Sequence, residues 1–316
     1  MSGGSRGTGW YVVAMDGPDH PARFGGLLTA MVTPFDQDGE LDLDAADTLA
    51  RWLVDHGSEG LVVTGTTGEG PVLTDDEKQA LWRAVAEAVN VPVVAGSGSN
   101  DTAHSIEMTR AATKAGADAV LIVTPYYNRP SQDGIFRHIE AVAAATDLPV
   151  IVYDIPIRTG RRIALDTMVA LATKVSNVVA VKDSTGDVAG AARLLTKTPS
   201  GFEVYCGDDD LALAMLSIGA VGAVSVASHW AGREMAELFA AHWKGDVAGA
   251  RDINARLVAS FDFESSESFP NPLPAKAACR ALGLSVGQCR DPLGPAPAEL
   301  DDLARRVLED LGTTVG

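Results

Sequence analysis

Apolar residues along the chain follow two alternating patterns. Short, near-continuous runs of Val, Ile, Leu and Ala begin near Leu27 (LLTAMV), Gly60 (GLVV), Val91 (VPVVAG), Asp118 (DAVLIV), Pro149 (PVIVY), Val178 (VVAVK), Phe202 (FEVYC) and Val221 (VGAVSV). Between them lie stretches in which apolar residues recur at helical period, clearest in DAADTLARWLVDHG and TDDEKQALWRAVAEAVN. The short runs predict strands buried on both faces, and the longer stretches predict amphipathic helices that cover them. Thr74 followed by Glu77 supplies a capping box for one such helix. Strand–helix units repeated in this way predict an α/β fold, a (β/α)8 TIM barrel, with an open doubly wound sheet as the rival. From about Gly245 the pattern changes to helices without strands between them, interrupted by FPNPLP and RDPLGPAP. The chain thus divides into a loosely ordered Gly-, Ser- and Asp-rich extension over 1–24, a barrel over 25–244 and a C-terminal helical appendix over 245–316.

Composition narrows the function classes. Of 316 residues, 46% are hydrophobic and 21% charged, which is ordinary globular content. Lys+Arg 25 against Asp+Glu 42 leaves a formal charge of −17, which argues against nucleic acid and against a polybasic membrane anchor. Cys206, Cys279 and Cys289 are too few and too scattered for a disulfide framework and read as a reducing, cytoplasmic compartment. The N-terminal WYVVAM run is too short for a signal peptide and is followed by DGPDHPARFGG. Leu211 to Ser228 is uncharged, but its glycines and serines divide it into a short helix and a buried strand rather than a membrane span.

A barrel of this kind carries its chemistry at the C-terminal ends of its strands. Lys182 closes the apolar run NVVAVKD, where partial desolvation frees an amine to attack a carbonyl; the alternative is a salt bridge with Asp183 or Asp154. Tyr153 closes the preceding strand, about 4.8 Å away, and suits proton transfer beside that amine, or else ordinary packing. The GTTGEG loop, Gly65 to Gly70, can hold a carboxylate on successive N–H groups or serve only as a turn. Arg158 in YDIPIRTG suits a second carboxylate, although surface arginines commonly bind nothing. GDDD, Asp208 to Asp210, reads as helix capping in preference to a metal site, since no histidine lies near. No P-loop and no GxGxxG after a strand is present, and the last two strand ends are acidic or hydroxylic, which disfavours nucleotides and phosphorylated substrates.

With these residues on one barrel face, the chain resembles the pyruvate-dependent class I aldolase/lyase superfamily and, within it, the dihydrodipicolinate synthase family. The resemblance runs from about Phe24 to the last helix on TAMVTPF, GTTGEG, TPYYNRPSQ, YDIPIRTG, AVKDSTGD, CGDDD, AVSV and PNPLPAK. It implies that Lys182 forms an imine with pyruvate, and that Tyr153, Thr66 and Tyr127 relay protons, Tyr127 reaching the site of a neighbouring subunit. It further implies that Thr67 and the backbone at Val224 receive the pyruvate carboxylate, and that Arg158 receives L-aspartate 4-semialdehyde. The implied product enters lysine and diaminopimelate biosynthesis, no metal or organic cofactor is required, and the assembly is a homotetramer built as a dimer of dimers. Another pyruvate-dependent lyase or dehydratase, acting on a 2-keto-3-deoxy sugar acid or N-acetylneuraminate, shares Lys182 and Tyr153 and is the alternative; a keto-acid sensor is a third. The chain departs from the commonest family pattern at Gly70, Asp154 and the KDS following Val181. Lysine-sensitive members bind the effector near positions resembling Asp75, Lys78, Asn100, His104 and Tyr126. Asn100 and Tyr126 match the sensitive pattern, whereas Asp75, Lys78 and His104 differ from it, so the resemblance implies weak or absent inhibition by lysine.

Overall fold

The computed structural model describes residues 22–264 and 266–313, so most of the extension expected over 1–24 lies outside the described residues. Eight strands, β1 (Leu27–Ala30), β2 (Gly60–Val63), β3 (Val93–Gly96), β4 (Ala119–Val123), β5 (Val150–Asp154), β6 (Val178–Asp183), β7 (Glu203–Cys206) and β8 (Gly222–Ser225), pair in parallel and in chain order. β8 returns to β1, which closes the barrel and excludes the open sheet. Around it run α1 (Leu43–Asp55), α2 (Asp75–Ala88), α3 (Thr102–Lys114), α4 (Gln132–Ala143), the single turn α5 (Pro156–Thr159), α6 (Leu165–Lys174), α7 (Val188–Leu195), α8 (Ala212–Ser217) and α9 (Ser228–Trp243). Three further helices follow without strands between them: α10 (Val247–Phe263), α11 (Leu273–Ala281) and α12 (Ala298–Asp310). The uncharged stretch after Asp210 resolves into α8 and β8, and no described helix is long and apolar enough to cross a membrane.

Local chemistry explains where the helices begin. Their first N–H groups have no partner inside the helix, and a short polar side chain ahead of the first turn supplies one. Asp42, Asp101, Ser131, Asp187 and Asp246 accept such bonds at the starts of α1, α3, α4, α7 and α10. At α2 the capping box closes in both directions: Glu77 N donates to Thr74 Oγ1 and Thr74 N donates to Glu77 Oε2.

Two apolar layers follow from the strand alternation. Leu28, Val62, Val94, Leu121, Ile151, Tyr153, Ala180, Tyr205 and Val224 fill the barrel interior. Their neighbours Leu27, Leu61, Val63, Val93, Val152 and Val181 pack outward against the helices. At the strand ends the alternation has a chemical consequence. Tyr153, Lys182 and Tyr205 share one level of the parallel register, while Asp154 and Asp183, one position on, form the next. Period two directs the first group inward and the second outward.

Candidate active site

Lys182 is the last residue but one of β6, with only 5% of its surface exposed. Its Nζ lies 4.3 Å from the centre of the Tyr153 ring on the adjacent strand. Among the described residues its amine has no carboxylate oxygen within ion-pair distance, so neither Asp183 nor Asp154 takes the salt bridge considered from the sequence. Asp154 instead accepts from Ile163 N at 3.2 Å, on the outer side of β5. Burial lifts its carboxyl to about 7, helped by the nearby Asp183 and opposed by the Ile163 N–H and Arg162. A cavity of about 440 Å³ lies on that outer side, among Asp154, Asp183, Arg162 and Arg193. Asp208, beyond β7, is lifted to about 6 by burial against the pull of Ser184 and Lys182.

A larger cavity of about 710 Å³ opens at the barrel mouth and contains Thr66, Tyr153 and Arg158 in its wall. Thr67 is buried beside Thr66, and Val224 is fully buried in the interior layer with Tyr153. The GTTGEG loop holds its shape through contacts invisible to sequence period. Thr64 and Glu69 both adopt left-handed backbone, with φ of 59° and 55°. Thr64 Oγ1 accepts from Trp82 Nε1 of α2 at 2.8 Å. A Cβ on Gly96 or Gly70 would stand 2.6 or 2.4 Å from the Thr64 carbonyl oxygen, so both glycines permit the close chain approach. Glu69 is locked from the C-terminal region. Its Oε1 lies 2.7 Å from Lys276 Nζ, and its Oε2 accepts from Arg290 N at 2.9 Å.

Tyr127 has φ of 70° and is 90% exposed, at the rim of the mouth cavity rather than against Lys182. Ile157, beside Arg158, is equally exposed. The cavity continues to Asp75, Lys78, Asn100, His104 and Tyr126, which the structure brings together. There Asp75 pairs with His104, its Oδ1 lying 2.9 Å from Nε2, and stands 4.0 Å from Lys78 Nζ. Burial lowers the Lys78 amine, with Asp75 opposing.

The GDDD segment does not supply the helix cap expected of it: Asp209 Oδ2 instead accepts from Ser225 Oγ, Val226 N and Ala227 N, tying the turn after β7 to the one between β8 and α9. Two participants were not identified as site residues from the sequence. Asn271 Nδ2 donates to Thr67 Oγ1 at 2.9 Å, and Lys276 lies five positions further on. Their motif, PNPLPAK, is a visible signal, but its partners lie some 200 residues earlier.

A parallel eightfold barrel with a buried lysine at the end of its sixth strand, without an ion-pair partner among the described residues, and a tyrosine beside it is the layout of a class I aldolase. The dihydrodipicolinate synthetase family model matches residues 23–311, and the chain belongs to that family. It is 47% identical over 292 residues to a 4-hydroxy-tetrahydrodipicolinate synthase of Moorella thermoacetica, covering 92% of this chain and 99% of that one. A solved dihydrodipicolinate synthase of Bacillus anthracis superposes with a TM-score of 0.87 at 44% identity, covering 90% and 98% of the two chains. One from Cyanidioschyzon merolae with lysine bound gives 0.89 at 40% identity, covering 92% and 99%.

Proposed function

We propose that this protein is a lyase-class 4-hydroxy-tetrahydrodipicolinate synthase that condenses pyruvate with L-aspartate 4-semialdehyde, a step toward diaminopimelate and lysine. The observation that carries the reading is the buried Lys182 amine, 4.3 Å over the Tyr153 ring and without a carboxylate in ion-pair range among the described residues. An amine that no carboxylate clamps can turn toward a bound ketone. Its lone pair attacks the ketone of pyruvate to give a carbinolamine, and loss of water gives the imine. Tyr153, with Thr66 and a Tyr127 from a neighbouring subunit, carries the protons. Loss of a proton from the pyruvate methyl group yields an enamine. Its carbon attacks the aldehyde, whose oxygen takes up a proton. The amino group of the second substrate then displaces the Lys182 nitrogen and closes the ring, returning the free amine. Thr67 and the backbone at Val224 hold the pyruvate carboxylate, and Arg158 holds that of the semialdehyde. In this scheme Lys182 is the chain's own nucleophile, the hydroxyls of Tyr153, Thr66 and Tyr127 carry the protons, and the reaction calls for no metal or organic cofactor.

The exposed Tyr127 and Ile157 at the cavity rim support a homo-oligomer in which a second copy covers them, a tetramer in the family pattern. An acidic, cysteine-poor composition supports a cytoplasmic setting. A coupled assay with pyruvate and aspartate semialdehyde, run beside sugar-acid and N-acetylneuraminate cleavage, tests the reaction. Borohydride added with pyruvate should attach one reduced adduct to the peptide containing Lys182. An adduct elsewhere, or none, overturns the assignment.

A further inference from the structure

Thr67 is tied to the other end of the molecule. Asn271, 8% exposed, stands immediately before α11 and its proline, in the FPNPLP segment. Its side-chain nitrogen donates to Thr67 Oγ1 at 2.9 Å, across 204 positions of sequence. Its backbone carbonyl accepts from Arg158 Nη2 at 3.4 Å. One residue outside the barrel therefore touches both groups assigned above to substrate carboxylates. The placement is rigid, because Lys276 on α11 reaches Glu69 on the same loop as Thr67.

We propose that Asn271 is a positioning residue that sets the polarity of the Thr67 hydroxyl, so that Thr67 presents its proton to the pyruvate carboxylate; this rests on the assignment of Thr67 to that carboxylate. A hydroxyl has one proton and two lone pairs. The Asn271 amide occupies a lone pair, so the Thr67 proton is directed to a different partner. Thr67 is 3% exposed, so bulk water does not compete freely for that proton. An anion that approaches Thr67 thus meets a donor already aimed, and the hydroxyl loses no rotational freedom when it binds. The two contacts of Asn271 differ in kind. Thr67 is held by the side chain and Arg158 by the backbone, so a side-chain substitution disturbs the first substrate and spares the second.

The test is borohydride trapping across a pyruvate titration with the intact enzyme, together with initial-rate KM values for both substrates. Asn271→Asp keeps the shape but offers only acceptors, so it claims the Thr67 proton and adds a negative charge near the bound carboxylate. It should raise the half-saturating pyruvate concentration by about ten- to a hundredfold, the range expected when a hydrogen bond to a charged group is lost. Asn271→Ala, which frees the hydroxyl to rotate, should raise it by roughly three- to tenfold, with KM for the semialdehyde changed less than about twofold. In a Thr67→Val background Asn271→Ala should have no further effect, since the hydroxyl it orients is gone. Unchanged pyruvate half-saturation in both Asn271 variants overturns the proposal, as do equal rises for both substrates or a fall in kcat alone. If Asn271→Asp fails to give a wild-type circular dichroism spectrum, the Asn271→Ala series decides by itself. Absence of any adduct in the wild-type enzyme is a separate result that overturns the pyruvate reading itself.

Discussion

Two lysines are buried in this molecule, and their surroundings treat them in opposite ways. Lys276 lies 4.1 Å over the Phe35 ring with its Nζ 2.7 Å from Glu69 and 2.9 Å from the carbonyl of Gln288. Lys182 lies 4.3 Å over the Tyr153 ring and has no carboxylate in ion-pair range among the described residues. Burial pulls the Lys276 amine down and the Glu69 carboxylate opposes it. An aromatic ring beneath the ammonium is common to both sites, so it does not separate their roles. The counter-ion does. A lysine clamped by a carboxylate and a carbonyl acts as a strut, while one without such a clamp is free to turn its amine toward the barrel mouth.

The contrast can be broken most sharply by replacing each amine with a neutral side chain. Lys182→Met should eliminate imine trapping and turnover while leaving stability within about 1 kcal/mol of wild type or raising it, since active-site groups are commonly held at a cost to the fold. Lys276→Met should do the reverse. It strands Glu69 in the interior, a loss of about 3–5 kcal/mol, and pairing it with Glu69→Leu should recover most of that. Denaturant titrations beside activity assays measure both arms. A large stability loss in Lys182→Met would erase the distinction.

Asp154 sharpens the same contrast through pH. A carboxylate paired with Lys182 would be held low, but Asp154 is lifted from 3.8 to about 7, chiefly by burial. The folded protein therefore keeps a proton that the unfolded chain releases. The stabilisation is complete below about pH 4 and is lost as pH rises through about 7. Asp154→Asn stays neutral throughout, so its stability relative to wild type should improve over that interval, by up to about 4 kcal/mol. Thermal melts at pH 5 and pH 8 measure the change. A constant difference between the two proteins at the two pH values would mean that Asp154 is already ionised at pH 5.

Lys78 is the intermediate case, 4.0 Å from an Asp75 that already pairs with His104. That neighbourhood opposes a cationic effector. Two unit charges at ~4 Å repel by about 4 kcal/mol at an effective dielectric of ~20, against an allosteric coupling of about 1–3 kcal/mol. Initial rates across a lysine titration should show half-inhibition no lower than about millimolar, and sensitivity well below that concentration would contradict the reading.

The barrel was legible because its strands repeat one signal. The eight apolar runs beginning near Leu27, Gly60, Val91, Asp118, Pro149, Val178, Phe202 and Val221 lie within two positions of the observed strands. Burial on both faces forces continuous Val, Ile and Leu, repeated at each of the eight positions. Lys182 and Tyr153 were legible for a related reason: a polar side chain ending such a run must emerge at the barrel mouth. Arg158 and the GTTGEG loop followed from the family motifs more than from physics. The contacts Asn271–Thr67, Lys276–Glu69 and Trp82–Thr64 were not legible. They join loops and helix faces across the fold, where no period relates one residue to its partner. The cap expected from GDDD is absent, because Asp209 is drawn into the turn after β8 and not onto the first turn of a helix.

The distance between Thr67 and Asn271 along the chain also gives the molecule an order of construction. A ribosome adding about 5–20 residues per second reaches Asn271 roughly 10–40 s after Thr67. During that interval Glu69 has neither Lys276 nor the Arg290 N–H, and the loop it belongs to lacks the partners that hold its left-handed turns. All eight strands are translated before the GTTGEG loop can take its final form. The C-terminal helices thus work as a finishing step: a nascent chain holds Lys182 long before the Thr67 loop is fixed, and the barrel mouth takes its final form with the last part of the polypeptide.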